Sequence, residues 1–213
     1  MKILELFCGT KSVSNAFKAH GHEVYTVDWN KDFNADLTAD VGKLSVSDIV
    51  ELCGGYPDVI WASPDCTTYT VMSLSKHREK MPDGYLRPKT EYAAFCDTVN
   101  THVIHLIREL NPRFWFIENP MGCMRKMPFM EGLPRYTVTY CQYGEERQKP
   151  TDIWTNHPEP NFKPACKRGM PCHVPAPRGS ATGTQGIKGA RDRSRIPSLL
   201  CEHIVKICGG WNA

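Results

Sequence analysis

Two short stretches carry side chains fit for covalent chemistry. In Trp61-Ala62-Ser63-Pro64-Asp65-Cys66-Thr67-Thr68-Tyr69-Thr70 an apolar run ends in a thiol. In Phe114-Trp115-Phe116-Ile117-Glu118-Asn119-Pro120 another apolar run ends in a carboxyl group. Such runs read as buried parallel strands with a reactive group at the carboxyl end, where open α/β sheets bind their ligands. A thiol nucleophile beside a carboxyl group suits attack on an electron-poor ring that must be protonated as it is attacked. Partial burial of Glu118 between aromatic and apolar neighbours would raise its pKa and make a proton donor available near neutrality. Taken singly, Cys66 is equally an inert buried cysteine and Glu118 a solvated strand end. Arg147, in Tyr143-Gly144-Glu145-Glu146-Arg147-Gln148-Lys149-Pro150, is a candidate for fixing a ring oxygen or a phosphate, against the plainer reading of a surface arginine.

The elements that must position these groups follow from patterning. Leu4 to Phe7 is a first strand, Cys8-Gly9-Thr10 a turn, and Val13 to His20 a helix with Ser12 near its start and Gly21 at its C-cap. Glu23 to Val27 is a second strand with Asp28 at its tip. Asp28 follows Gly9 by 19 positions, the spacing of an acid that holds ribose hydroxyls in a βαβ nucleotide-type site. The glycines of G-x-G-x-x-G are missing, which argues against a pyrophosphate and leaves room for a cofactor without phosphates.

Ser45 to Cys53 reads as a helix stopped by Gly54-Gly55, and Val59 to Ser63 as the strand before Cys66. Ser73 to Lys89 has no period and is expected to be a mobile loop beside the nucleophile. Tyr92, Phe95, Val99, Val103, Leu106 and Leu110 form the expected buried stripe of a long helix, with His102 and His105 on its solvated side. Arg113 to Glu118, Tyr136 to Gln142 and Asp152 to Thr155 are expected strands, and Ile196 to Cys208 a closing helix.

Composition bounds the class. The chain has 213 residues, 41% hydrophobic and 23% charged, as an ordinary soluble domain does. No apolar run approaches the roughly 18 residues of a membrane span. The ten cysteines are scattered, and with no export leader they read as reduced thiols of a cytoplasmic protein. The net charge of +3 is unevenly spread: from Asn161 to Arg195 there are eight Lys and Arg against one acid. That imbalance reads equally as a surface for a polyanion partner or as a solvated loop that happens to be basic. Pro, Gly, Lys and Arg accumulate from Asn156 to Arg193, read as an irregular insertion within a single domain spanning 1–213. Cys166, Cys172 and His173, with His157 upstream, have the residue types of a zinc site. Their C-x5-C-H spacing matches no common zinc pattern, so no metal is assigned on sequence.

Together these stretches resemble the cytosine-5 DNA methyltransferase family, over Leu4 to about Thr155 and more faintly over Arg195 to Ile207. Leu4-Glu5-Leu6-Phe7-Cys8-Gly9 is similar to its opening D-L-F-x-G, Pro64-Asp65-Cys66 to its P-P-C, Glu118-Asn119-Pro120 to its E-N-V, and Gln142 to Lys149 to the region around its Q-R-x-R. Lys11 replaces a glycine, Asp65 a proline, Thr67 a glutamine and Pro120 a valine, and Arg147 has no second arginine two positions on.

The resemblance implies a Rossmann-like α/β fold, a mostly parallel sheet with helices on both faces. It implies S-adenosylmethionine as cofactor, contacted by Phe7, Gly9, Asp28, Trp29, Asp40, Val41 and Pro64, with Asp28 on the ribose and Asp40 on the adenine. Cys66, Glu118 and Arg147 take the catalytic roles. Asn119, Gln148, Lys149, Lys167 and Arg168 contact the substrate, which is DNA with its target cytosine flipped out. The insertion at 156–193 stands where the family carries its target-recognition domain, as in compact phage-borne members, so a dimer or a partner chain is a possible source of further recognition. An RNA cytosine methyltransferase and a catalytically silent binding module are the alternatives. Comparing tRNA with duplex DNA separates the first, and substitution of Cys66 the second.

Overall fold

Alternation along the strands decides which face of the sheet each side chain enters, and two apolar layers result. The computed structural model describes residues 1–167, 169–175, 187 and 189–209. In chain order the elements are β1 (Lys2–Leu6), α1 (Ser12–Ala19), β2 (Glu23–Asp28), β3 (Leu37–Thr38), α2 (Val46–Cys53), β4 (Val59–Ala62), α3 (Leu74–His77), β5 (Arg78–Lys80), β6 (Leu86–Pro88), α4 (Glu91–Leu110), β7 (Phe114–Pro120), β8 (Arg135–Thr139), β9 (Pro150–Thr155), α5 (Ala190–Ser194) and α6 (Ser198–Ile207). Seven strands form one sheet in the order β3-β2-β1-β4-β7-β9-β8, and β5 and β6 form a separate hairpin. The first five strands of that order pair in parallel, and β9 runs antiparallel to both its neighbours.

Leu4, Leu6, Ile60, Ala62 and Ile117 point to one side, where α2 and α4 cover them with Ile49, Cys53, Val103 and Ile107. Ile3, Val59, Trp61, Phe116 and Ile153 point to the other, under Val13 and Phe17 of α1 and Leu200, Ile204 and Val205 of α6. The sheet is therefore mostly parallel with helices on both faces, as expected.

Local signals set the helix ends. Ser45 and Asp48 form a capping box at the start of α2, and Gly54, at φ 58°, closes it. Gly21 N–H and His22 N–H donate to the Lys18 and Phe17 carbonyls, the paired bonds that end α1. No helix among the described residues is long and apolar enough to cross a membrane.

Four expectations need correction. The stretch 73–89 is not a bare loop: it holds α3 and the β5–β6 hairpin, whose three-residue strands are too short to leave a period. Tyr92 and Phe95 lie exposed on α4, and the buried face passes instead through Ala93, Cys96, Asn100 and Ile104. His102 is not purely solvated, since its Nε2 bonds the Leu44 carbonyl at 2.8 Å. The strand at 136–142 stops at Thr139, and Tyr140–Tyr143 tightens into a 3-10 turn.

Candidate active site

Adjacent parallel strands β4 and β7 are in register from Val59 opposite Phe114 to Ala62 opposite Ile117, where β4 ends and β7 runs on to Pro120. The carboxyl end of β4 releases the Pro64–Cys66 segment, and Glu118 follows Ile117 within β7, opposite Ile153 of β9. Asn119 Nδ2 donates to the Pro64 carbonyl at 3.0 Å and ties the two ends together. Asn119 is fully buried, and its Oδ1 has no partner among the described residues. Cys66 opens a turn in which its carbonyl accepts from Tyr69 N–H and Thr70 N–H at 3.0 and 3.1 Å.

That turn is anchored from behind. Arg78 grips Asp97 of α4 through both guanidinium nitrogens at 2.6 and 2.8 Å, and donates to the Thr68 carbonyl at 3.2 Å. Tyr69 OH donates to the same Asp97 at 2.7 Å. Beyond β7, Gly122 passes so close to this turn that a Cβ there would sit 2.2 Å from the Tyr69 carbonyl oxygen. Cys123 N–H donates to that oxygen at 2.8 Å.

The electrostatics pair three groups. Burial pushes the Cys66 thiol up to about 11, and the charges of Asp65 and Glu118 push the same way; Lys149 opposes them. Burial also raises the Glu118 carboxyl above its ordinary range, opposed by Lys149 and by hydrogen bonds from Tyr140 and Ser63. Tyr140 OH donates to Glu118 Oε1 at 3.0 Å. Burial lowers Lys149, while Glu118 and Cys66 favour its charge. A buried acid and a buried base thus each depend on the other to ionise. Lys149 Nζ lies 4.4 Å from the centroid of the Tyr140 ring and donates to the Arg193 carbonyl at 2.9 Å.

Arg147 has protein partners of its own. It is buried, paired with Glu145 and directed at the Arg193 carbonyl. Lys149, read in the sequence as a substrate contact, is the cation coupled to Cys66 and Glu118. Gln148 donates to the Cys166 carbonyl and Sγ at 3.2 and 3.3 Å, so its amide N–H groups serve the insertion. Lys167 is exposed, and Arg168 lies outside the described residues. Tyr140, Arg78, Asp97 and Gly122 escaped sequence reading. Tyr140 continues an alternating strand pattern, and nothing local distinguishes the other three.

A second cluster of candidate residues lies at the ends of β1, β2 and β3. Asp28 is buried, and its two carboxylate oxygens accept Gly9 N–H at 3.0 Å and Asn30 N–H at 2.9 Å. Ala39 N–H donates to the Asp28 carbonyl at 3.0 Å, which brings Asp40 alongside. Asp40 caps the turn after it through Gly42 N–H at 3.0 Å. Trp29 is 72% exposed, whereas Val41 is buried in the core. Phe7 and Lys11 both take positive φ, 57° and 55°, at the turn around Gly9. Lys11 therefore adopts the left-handed conformation that a glycine would supply, and its Nζ reaches the Asn34 carbonyl. A cleft of about 200 Å3 beside Arg108, Asn111 and Trp115 contains none of these candidates.

No family model matches the chain, and no curated protein is similar to it in sequence. Solved structures do resemble it. One is a candidate DNA modification methyltransferase encoded within an E. coli prophage, with TM-score 0.53 and 17% identity over 73% of this chain and 46% of that one. Another is the Entamoeba histolytica methyltransferase EhMeth, with TM-score 0.50 and 15% identity over 73% of this chain and 52% of that one. A third is the S. pombe Dnmt2 methyltransferase, at TM-score 0.48 and 13% identity, over 73% of this chain and 48% of that one. The chain spans about half the length of these structures. Its fold is the Rossmann-like α/β fold of methyltransferases.

Proposed function

We propose that the chain is an S-adenosylmethionine-dependent methyltransferase that modifies C5 of cytosine in DNA. The observation that carries this reading is the join between β4 and β7: Asn119 holds the loop of Cys66 against the strand of Glu118. The fold shared with methyltransferases supports it, as does the ordered set of sequence motifs.

The residues at the β1–β3 ends fit the cofactor. Asp28 spends one acceptor site on each oxygen, and a carboxylate offers about four, so ribose hydroxyls have acceptors left. Exposed Trp29 and the backbone-strained Phe7 offer faces for a purine ring, and Asp40 a second carboxylate. In this scheme Gly9 and Pro64 also contact the cofactor. When bound, S-adenosylmethionine supplies an electrophilic methyl group to a carbon nucleophile.

The protein's own groups prepare that nucleophile. Cytosine C5 reacts poorly until C6 carries a sulfur, so Cys66 adds to C6 as the Glu118 carboxyl, its proton affinity raised by burial, donates to N3. The thiol gives up its proton to solvent, and Lys149 offsets the negative charge that develops on the sulfur. Tyr140 and Ser63 hold the Glu118 carboxyl through hydrogen bonds. After methylation the C5 proton leaves to a base, the C5–C6 double bond re-forms and the Cys66 sulfur departs. Glu118 takes back the N3 proton. Arg147 and Asn119 act in this scheme by holding the loops around the pocket. A base paired in a duplex must leave the stack to meet the Cys66 thiol.

The basic insertion contributes phosphate contacts, Lys167 and Arg168 among them, and reads few base edges. Recognition of about two to four bases follows from so small a surface. A second copy or a partner chain would add more. A phage or prophage origin, a role in restriction–modification and action in the bacterial cytoplasm fit this compact form.

Labelled S-adenosylmethionine offered with unmodified duplex DNA, single-stranded DNA and tRNA tests the reading. Label is expected in 5-methylcytosine of DNA. Label in RNA alone would move the substrate to RNA, and no label in any nucleic acid would remove the enzyme reading.

A further inference from the structure

We infer that Cys141, Cys166, Cys172 and His173 are the ligands of a single zinc ion that pins the insertion to the edge of the sheet. None of the four ligands takes part in the proposed methyl transfer. The four ligand atoms, three Sγ and His173 Nδ1, all lie within 4.8 Å of one another. Cys141 Sγ to Cys166 Sγ is 3.2 Å, and Cys172 Sγ to Cys141 Sγ is 3.7 Å. His173 Nδ1 is 3.6 Å from Cys166 Sγ and 3.7 Å from Cys172 Sγ.

A tetrahedral zinc ion with Zn–S of about 2.3 Å and Zn–N of about 2.0–2.1 Å places its ligand atoms roughly 3.5–3.8 Å apart. Of the six separations, the four given above include three in that range and one slightly short, and the other two are within 4.8 Å. None approaches the roughly 2.0 Å of a disulfide bond. Cys3His is a ligand set of closed structural zinc sites, and thiolates select a soft or borderline ion over magnesium or calcium.

The surroundings are those of a metal site. Gln148 Nε2 lies 3.3 Å from Cys166 Sγ and Gln142 Nε2 3.4 Å from Cys172 Sγ, so amide donors face two of the sulfurs. Cys166 N–H donates to Thr139 Oγ1 at 2.9 Å and fixes the backbone that presents that ligand. Such contacts orient ligands and temper thiolate charge.

The need for the ion follows from the chain. Among the described residues of 156–175 there is no helix or strand, and Phe162 packs on the core before the stretch that carries Cys166, Cys172 and His173. Cys141 leaves the 3-10 turn directly after β8, so one ligand belongs to the sheet and three to the coil. The spacing was unreadable in sequence for that reason: the fourth ligand lies 25 residues before Cys166. His157 is not a ligand, since its ring packs on Phe114 at 4.5 Å and its Nε2 bonds the Ile207 carbonyl at 2.9 Å. Gln148, fastened to Cys166, precedes Lys149, so the clip also fixes the approach of the cation to the pocket.

The test uses the full chain, purified under reducing conditions and dialysed against a weak chelator. Elemental analysis is expected to find one zinc per chain. Replacement by Co(II) should give the intense visible bands of a tetrahedral site together with sulfur-to-cobalt charge transfer. Cys172→Ser and His173→Ala should each lose most of the metal, while Cys66→Ser keeps it. Should a ligand variant fail to fold, the Co(II) spectrum of the unaltered protein decides. The site is overturned if the folded, reduced protein carries no zinc and gives no tetrahedral Co(II) spectrum on titration. It is equally overturned if the ligand variants retain full zinc.

Discussion

Asn119 Nδ2 donates to the Pro64 carbonyl at 3.0 Å, and both residues are buried. This bond makes the end of β7 and the exit of β4 one unit, so Glu118 and Cys66 share a frame rather than two independent loops. Asn119→Leu should leave the Pro64 carbonyl without its donor and cost about 1–3 kcal/mol of stability. Turnover should fall by more than cofactor affinity does. Equal kinetics in the folded variant would show that the frame is not needed.

Thiol reactivity reports the Cys66 environment without any substrate. With the thiol pushed up to about 11, alkylation of Cys66 should rise steadily from pH 7 to pH 10 with no plateau. Lys149→Met removes the opposing charge and should slow alkylation at every pH. Peptide mapping of the alkylated protein distinguishes Cys66 from the other cysteines. A plateau below pH 8 would contradict the assignment.

Glu5 predicts a pH-dependent stability. It is 2% exposed on β1, its carboxylate accepts Ser14 N–H at 2.8 Å, and burial raises it from 4.5 to about 7. A carboxyl group raised on folding contributes stability that is complete below the unfolded value and is lost as pH climbs through the folded value. The shift corresponds to about 3 kcal/mol. Glu5→Gln should therefore gain on the native protein between pH 5 and pH 8 in denaturant titrations. Parallel stability curves would refute the burial effect.

Gly122→Ala should disturb Cys66 from a distance. The new Cβ would press on the Tyr69 carbonyl at the back of the Cys66 turn. A cost of about 1–3 kcal/mol is expected for such overpacking. Calorimetry should register that loss, and kcat should drop with it. An unchanged melting temperature would mean that the turn yields without penalty.

The parallel strands and their order of chemistry were legible in the sequence because buried parallel strands are continuous apolar runs that end where the polar groups begin. Helix α2 was legible through Ser45 and Gly54, which act locally. The β5–β6 hairpin was not, since three residues carry no period. The different surroundings of Arg147 and Lys149 were not legible, because two cations two residues apart look alike in sequence. Only the fold reveals that Arg147 is spent on Glu145 while Lys149 answers to Glu118 and Cys66. Asn119 was visible as a motif residue, but its bond to Pro64 spans 55 positions and no local rule reaches that far.

The central claim is a covalent bond between Cys66 sulfur and C6 of a flipped cytosine. Duplex DNA carrying 5-fluorocytosine, incubated with the protein and S-adenosylmethionine, tests it most directly, because fluorine at C5 cannot leave as a proton does. Intact mass and peptide mapping should find a stable protein–DNA adduct at Cys66 that is absent from Cys66→Ser. Methyl transfer to ordinary cytosine that persists in Cys66→Ser, with no adduct formed by the native protein, would contradict the account.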